Sequence, residues 1–365
     1  MNRLTAIGLA SLVAYGVLLA TKWDGAPAGL EGARAARAAQ APESDPRANR
    51  ATEAQVAVQA SPASVLSRMP LPAPVVAPAT HRVSSAAAEF RTARDLKSFA
   101  DALAARKSQL TADERFHLAK ALESCLFANS VNEDLASYSA KQRRQFLASV
   151  PAGDPNAALR VTAFDATDDA ARCVRFHGTK IAPRDVDELY HAAAQMGDAR
   201  AQARLLAGEI QRNMNAQPRD DSGNPSRISP EDLARIVAIL ETGDPEAVLS
   251  VGGLLAQSPL KEQLRIGPNG EMPEPSAFIG AWNLVACDMG LDCGAQHREL
   301  QQACAFASYC GAGHFEEHYQ TFIASPFVYQ QAQRYRALIH SAMQTRDWAQ
   351  IGLGPKLTSG AKSAK

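Results

Sequence analysis

Apolar residues recur at the spacing of amphipathic helices from about residue 89 to residue 353, and helix-start signals separate the runs. TADE at 111–114 is a capping box, and SP at 229–230 places a capping serine before a first-turn proline. We interpret SVNE at 130–133 and SAKQ at 139–142 as further capping boxes. Alanine is abundant and strand-forming residues are sparse, so the pattern predicts an all-α protein.

A motif of the form Gly-Asp-x-x-Ala occurs three times, at spacings of 44 and 46 residues. Glycine can end one helix in the left-handed conformation, and aspartate can cap the next helix. Each motif therefore predicts a corner between two antiparallel helices, and a period near 45 residues is typical of a solenoid of stacked helical hairpins. The predicted corner residues are Gly153, Asp154, Gly197, Asp198, Gly243 and Asp244.

The segment YHAAAQMGDARAQ at 190–202 resembles the second half of a Sel1-like repeat, a relative of the tetratricopeptide repeat. These repeats favour an aromatic residue, paired alanines and then Gly-Asp-x-x-Ala. The resemblance is partial at 146–163 and 236–253, and a polar loop at 218–228 stands where the repeats have a glycine-rich turn. The resemblance implies an α-solenoid over 89–275 that binds other proteins, and it implies no catalytic residues.

The region 276–353 departs from the repeat pattern and predicts a helical cap stapled by disulfides. Its expected helices cover 278–287, 296–307, 315–323 and a longer stretch from 326. We expect the aromatic side chains of this region to form the core of the cap: Tyr319, Phe322, Phe327, Tyr329 and Tyr335. Residues 354–365 form a polar tail that we expect to be disordered.

The amino-terminal segment predicts export. Residues 4–20 contain no charged side chain and follow Arg3, which fits an uncleaved signal anchor in the inner membrane. The alternative is a signal peptide cleaved after Ala20 or Ala28, which would leave a soluble periplasmic protein. Residues 21–88 are rich in alanine and proline and predict a disordered linker, which is the spacer that a tethered domain needs.

The chain has six cysteines: Cys125, Cys173, Cys287, Cys293, Cys304 and Cys310. An even number in an exported protein favours disulfides. Short separations favour the pairs 287–293 and 304–310, which leaves 125 with 173. A nested pairing of 287 with 310 and of 293 with 304 stays open, because loop entropy hardly discriminates between the two. Five intervening residues fit a zinc knuckle poorly.

Two patterns raise the question of catalysis. HFEEH at 314–318 has the form of an inverted zinc-protease motif, in which His314 and His318 would bind zinc and Glu317 would activate water. No glutamate follows His318 to serve as a further ligand, and we prefer a surface helix there. Glu123 precedes a serine, as in lytic transglycosylases, but their further motifs are not recognisable, and we expect an ordinary exposed helix residue.

Composition and charge limit the classes of binding partner that we expect. Lys+Arg 38 balance Asp+Glu 38, and this zero net charge argues against a nucleic-acid binder. DDSGN at 220–224 lacks the spacing of a calcium loop. The sequence predicts a periplasmic, membrane-tethered scaffold without cofactor or metal that binds another protein of the cell envelope. The alternative hypothesis is an envelope hydrolase, either zinc-dependent or peptidoglycan-cleaving.

Overall fold

The computed structural model describes residues 84–106, 109–216, 228–257 and 260–354, all within the unit of the chain that spans Pro78–Lys365. The described residues form helices and turns and contain no strand, which confirms the all-α prediction. The predicted signal segment 4–20, the linker up to residue 83, the loop 217–227 and the tail from 355 lie outside the described residues.

Helix bounds follow the apolar runs closely. The α-helices of the described residues are α1 (Ser85–Thr92), α2 (Leu96–Ala104), α3 (Ala112–Ser124), α4 (Leu135–Ser149), α5 (Ala157–Thr167), α6 (Asp169–Arg172), α7 (Pro183–Gln195), α8 (Ala199–Ala216), α9 (Pro230–Glu241), α10 (Pro245–Leu255), α11 (Leu260–Gln263), α12 (Pro275–Asp288), α13 (Arg298–Ala307), α14 (Phe315–His318) and α15 (Pro326–Thr345). Leu126–Ser130, Val174–Phe176 and Trp348–Ile351 are 3-10 helical, and Tyr319–Ile323 is a π-helical turn.

Two of the four predicted helix starts are wrong. The capping box at 111–114 and the Ser229 cap are present. Ser130 instead ends a 3-10 helix, and Ser139 lies inside α4. The cap of α4 is Asp134, whose carboxylate accepts the backbone N–H of Ser137. The first helix also begins at Ser85, ahead of the predicted boundary at 89, because the Ser84 hydroxyl caps it.

Two of the three corners have the geometry that the motif predicts. Gly197 and Gly243 have φ values of 91° and 70°, in the left-handed region that favours glycine. The Asp198 carboxylate accepts the N–H groups of the next helix's first turn, and Asp244 accepts the N–H of Ala247. The pairs α7–α8 and α9–α10 are therefore helical hairpins joined at tight corners.

The first corner differs from the other two. Helix α4 ends at Ser149 and α5 begins at Ala157, so the connection is longer than at the other corners. Gly153 is left-handed, but Asp154 pairs with Arg160 instead of capping a helix. Helix α5 packs mainly against α13, a helix from the far end of the sequence. The prediction of a tight hairpin at 153–154 is therefore wrong.

The described helices share two main apolar cores. The first core lies between α2, α3 and α7, and the second joins α8, α9 and α10 to α12 and α15. Trp282 and Phe278 are fully buried in the second core, and burying an aromatic side chain of this kind stabilises the fold by about 2–3 kcal/mol. The second core runs from Ala199 to Leu353, so it crosses the boundary at 275/276 between the predicted repeats and the predicted cap.

All six cysteines form disulfides: Cys125–Cys173, Cys287–Cys293 and Cys304–Cys310. This is the pairing that short separations favour. The first disulfide joins the end of α3 to the end of α6, and the other two close short turns after α12 and α13.

Candidate functional site

The residues of the inverted zinc motif do not come together as metal ligands. His314 precedes α14 in an extended conformation, and its Nδ1 accepts the N–H of Glu316. The Glu317 carboxylate accepts the N–H of Gly313, and the His318 side chain is buried. Because α14 has only four residues and begins after His314, the two histidines do not share a helical face. In the part of the chain that the structure describes, no group of three His, Cys, Asp or Glu side chains is arranged to hold a metal ion.

His318 is buried and His297 is half-buried, and each ring contacts a phenylalanine. The Nδ1 atoms of His297 and His318 are buried and have no hydrogen-bond partner among the described residues. The His318 ring lies 5.6 Å from the Phe322 ring, and the His297 ring lies 5.6 Å from the Phe315 ring. Burial lowers the pKa of His297 to about 4, so this imidazole is neutral at pH 7.

Glu123 is not an exposed surface residue, and that expectation is wrong. Its carboxylate accepts the Tyr190 hydroxyl at 2.7 Å and the Arg204 guanidinium at 2.5 Å. Burial and the Glu123 charge raise the pKa of Tyr190. The carboxylate thus holds α3 against α7 and α8. These contacts account for its position, and the long sequence separation explains why the local pattern did not indicate them.

A pocket of about 390 Å³ lies where the two tight corners meet the start of α3. Asp113, Asp198 and Asp244 line it together with Arg200 and the exposed side chain of Met196. Arg200 donates to Asp113 at 2.7 Å and to Asp198 at 2.6 Å, and its guanidinium lies over the Phe116 ring. These contacts join the start of α3 to the start of α8, so Arg200 stabilises the corner at 197–198.

A third apolar group lies apart from the two main cores. We call Phe146, Phe164 and Phe306 the Phe306 cluster. The Phe146 and Phe164 rings stack with centroids 4.2 Å apart, and Phe306 meets both rings edge-on at 5.8 and 6.0 Å. Phe306 nevertheless keeps 62% of its surface exposed. A large aromatic side chain that is held in place and still faces solvent is typical of a protein contact surface.

Polar contacts fix the helix that carries Phe306. Arg160 donates to the carbonyl of Ala305 at 2.9 Å and to the Asp154 carboxylate at 2.7 Å. Asn156 donates to the carbonyl and hydroxyl oxygens of Ser308 at 3.3 Å. The Cys304–Cys310 disulfide closes the same turn. The end of α13 is therefore held on α5 by side chains about 150 residues away in sequence.

Further apolar side chains are exposed on the helices of this cluster. Leu147 on α4 and Leu159 on α5 are exposed, and Tyr309 stacks on Phe322 with ring centroids 5.0 Å apart.

The sequence analysis missed Phe306 as a surface residue. A signal was present, because Phe306 lies off the stripe of Leu300 and Cys304 that buries α13.

The aromatic residues predicted as the core of the carboxy-terminal region divide into two groups. Tyr319 and Tyr335 are buried, and Phe322 and Tyr329 are half-buried. Phe327 is 62% exposed, so its assignment to the core is wrong. Phe327 occupies the first turn of α15 and lies outside the buried stripe of Ala332 and Tyr335.

Comparison of this chain with protein families, curated proteins and solved structures finds no match. Among the described helices, none is both long enough and apolar enough to span a membrane.

Proposed function

We propose that this protein is an exported helical-repeat scaffold that binds another protein of the cell envelope, tethered to the inner membrane by residues 4–20. The Phe306 cluster is the proposed centre of the contact surface. The observation that carries this proposal is the exposure of Phe306 while its ring contacts two stacked aromatic rings edge-on. Aromatic anchors of this kind supply most of the free energy of many protein complexes.

The hairpins α7–α8 and α9–α10 support the repeat interpretation. Both hairpins turn at a left-handed glycine followed by a capping aspartate. Helix α8 packs against both α9 and α10, so the two hairpins are adjacent. We propose that they are units of a Sel1-like solenoid, in agreement with the segment at 190–202.

The disulfides support export. Three disulfides with no cysteine left over fit an oxidising compartment, because cytosolic thiols are kept reduced. The periplasm is the compartment that we propose, since the apolar segment 4–20 would direct the chain across the inner membrane.

The test is photocrosslinking from single positions in cells that export the full chain. A photoreactive side chain at position 306 is expected to give a discrete crosslinked product. Position 327 is the matched control, because Phe327 has the same exposed fraction and also lies on a helix. The Phe306→Ser substitution is expected to weaken association with the crosslinked partner by about tenfold or more, as for an aromatic hot spot.

Either of two results would contradict the proposed contact surface. Identical products from positions 306 and 327 would mean that the crosslinks report exposure alone. Unchanged association of the Phe306→Ser variant would place the contact surface elsewhere on the molecule.

A further inference from the structure

The three disulfides differ in their access to solvent. Cys125 and Cys173 are both 0% exposed and lie in the first core. Cys287, in the last turn of α12, is half-buried, and its partner Cys293 is 3% exposed. Cys304 is 9% exposed, and its partner Cys310 is half-buried in a segment without helix. Thiol–disulfide exchange requires a thiolate to reach one sulfur along the axis of the bond, so access decides which disulfide reacts.

The surroundings of Cys310 leave room for such an approach. Cys310 is followed by Gly311, which has φ +97°. A Cβ at Gly311 would meet no atom within 4 Å beyond its chain neighbours, so the chain is open to solvent at the residue that follows Cys310. Both cysteines contact the apolar group around Phe146 and Phe164, but Cys304 is buried on α13, whereas Cys310 is half-buried. We therefore expect an incoming thiolate to attack the sulfur of Cys310 and not that of Cys304.

The turn that this disulfide closes has an unfavourable backbone. Ser308 has φ 61°, in the left-handed region that residues other than glycine avoid. The turn depends on hydrogen bonds from Ser308 and Tyr309 to carbonyl groups of α13, and on the amide of Asn156. Opening the disulfide removes the covalent closure that holds Ser308 in this conformation. Phe306 and Tyr309 are the exposed aromatic side chains of this closed turn.

We propose that Cys304–Cys310 is an exchange site for an exported dithiol protein, and that its reduction releases the turn that presents Phe306. The effect on partner binding rests on the proposed function. The thiol–disulfide exchange at this site does not depend on the proposed function.

The dithiol reduces the Cys304–Cys310 disulfide in two steps, in which atoms and electrons balance. A thiolate of the dithiol attacks Sγ of Cys310, the bond between Cys310 and Cys304 breaks, and Cys304 leaves as a thiolate that takes up a proton. The second thiol of the dithiol, as thiolate, attacks the sulfur of its own chain in the mixed disulfide and releases Cys310 as a thiol. The dithiol becomes a disulfide and this protein gains two electrons and two protons.

The first experiment follows the order of reduction in the folded full-length protein. Dithiothreitol is the probe, and peptide mass spectrometry after alkylation reports each cysteine with time. Cys304 and Cys310 are expected to be alkylated about tenfold faster than the other four cysteines, because exchange there needs only local opening. Helical circular dichroism is expected to stay unchanged while these two react. Equal rates for all six cysteines, or faster reaction of Cys287 and Cys293, would overturn the proposal.

The second experiment separates exchange from partner binding. The Cys304→Ser/Cys310→Ser double variant is expected to show faster hydrogen exchange at 303–313 and loss of the crosslink from position 306. The Cys287→Ser/Cys293→Ser variant is the matched control, because it removes an equally short loop from the same region. Loss of the crosslink in both variants, or in neither, would refute the link between this disulfide and the contact surface. If position 306 gives no crosslink in the unmodified chain, the proposed function fails while the order of reduction still decides the exchange site.

Discussion

Glu299 on α13 illustrates how burial acts on one ionisable residue. Its Oε2 atom is buried and has no hydrogen-bond partner among the described residues. Burial raises the pKa of Glu299 from 4.5 to about 7. Because the folded pKa is raised, the contribution of this group to stability is present in full below pH 4.5 and is lost as the pH rises through about 7.

Replacement of this carboxyl group by a neutral amide should therefore stabilise the fold at high pH. Glu299→Gln is expected to raise the free energy of unfolding by about 3 kcal/mol at pH 8 and to change it little at pH 4. Urea unfolding at both pH values measures the difference. Glu89→Gln, at an exposed position of α1, is the control and is expected to have no effect that depends on pH. An equal effect of Glu299→Gln at both pH values would contradict the prediction.

Gly252 and Gly253 on α10 offer a matched pair of substitutions. A Cβ at Gly252 would overlap the Trp282 side chain of α12, whereas a Cβ at Gly253 would meet nothing within 4 Å. Gly252→Ala is expected to lower the free energy of unfolding by about 1–3 kcal/mol through overpacking. Gly253→Ala is expected to raise it by up to about 1 kcal/mol, because alanine favours a helix. Thermal unfolding followed by circular dichroism separates the two, and equal shifts in Tm would refute the close approach of α10 and α12.

Single residues also show where local patterns succeed. The capping box at 111–114 and the left-handed Gly197 follow from side chain and backbone chemistry within a few residues. Asp134 was missed as a cap because a serine signal lay on each side of it. The role of Glu123 depends on Arg204, 81 residues away, which no local pattern indicates.

The disulfides link helices and turns covalently, and they restrict the conformations that the unfolded chain can adopt. Cys125–Cys173 links residues 48 apart and joins α3 to α6, whereas Cys287–Cys293 links residues six apart. The chain-entropy relation predicts that the longer loop contributes about 4 kcal/mol to stability and the shorter loop about 2 kcal/mol.

Paired substitutions test this difference. Cys125→Ala/Cys173→Ala is expected to lower the midpoint of urea unfolding more than Cys287→Ala/Cys293→Ala does. Both variants keep the other two disulfides, so each serves as the control for the other. A larger loss from the short loop would mean that native packing around Cys293, and not loop entropy, dominates the effect.

The predicted corners also show which helix pairs depend on nearby residues and which depend on distant ones. At 197–198 and 243–244 the two helices that the corner joins pack together, so the motif was sufficient. At 153–154 the motif is present, but α5 packs on α13 and does not form a tight hairpin with α4. The choice of partner depends on the exposed faces of a helix 140 residues away, which the motif does not contain.

Across the molecule, ion pairs connect elements that are distant in sequence. Asp113 pairs with Arg200, and Arg336 joins Asp288 to Glu316. Although burial raises the pKa of each of these three carboxyl groups, hydrogen bonds and nearby positive charges outweigh it and leave the pKa below its ordinary value. A lowered folded pKa means that the stabilisation is present above about pH 4 and is lost as the pH falls further.

We therefore expect the free energy of unfolding to decrease below pH 4, by about 1.4 kcal/mol per pH unit for each proton taken up. Urea unfolding at pH 3 and pH 6 measures the decrease. Asp113→Asn is expected to be less stable than the unmodified protein at pH 6 and to lose less stability between the two values. An identical loss in the variant would show that Asp113 does not contribute to the acid sensitivity.

The sequence by itself determined the helical class and two of the three corners, because capping and left-handed glycine act within a few residues. The tertiary structure decided between the short-range and the nested pairing of the last four cysteines. The tertiary structure alone decided that α5 pairs with α13, that Glu123 is held by Tyr190 and Arg204, and that Phe306 faces solvent. These features depend on which helix faces meet across long separations. That choice is made by packing and desolvation over the whole chain, which periodicity in one segment does not encode.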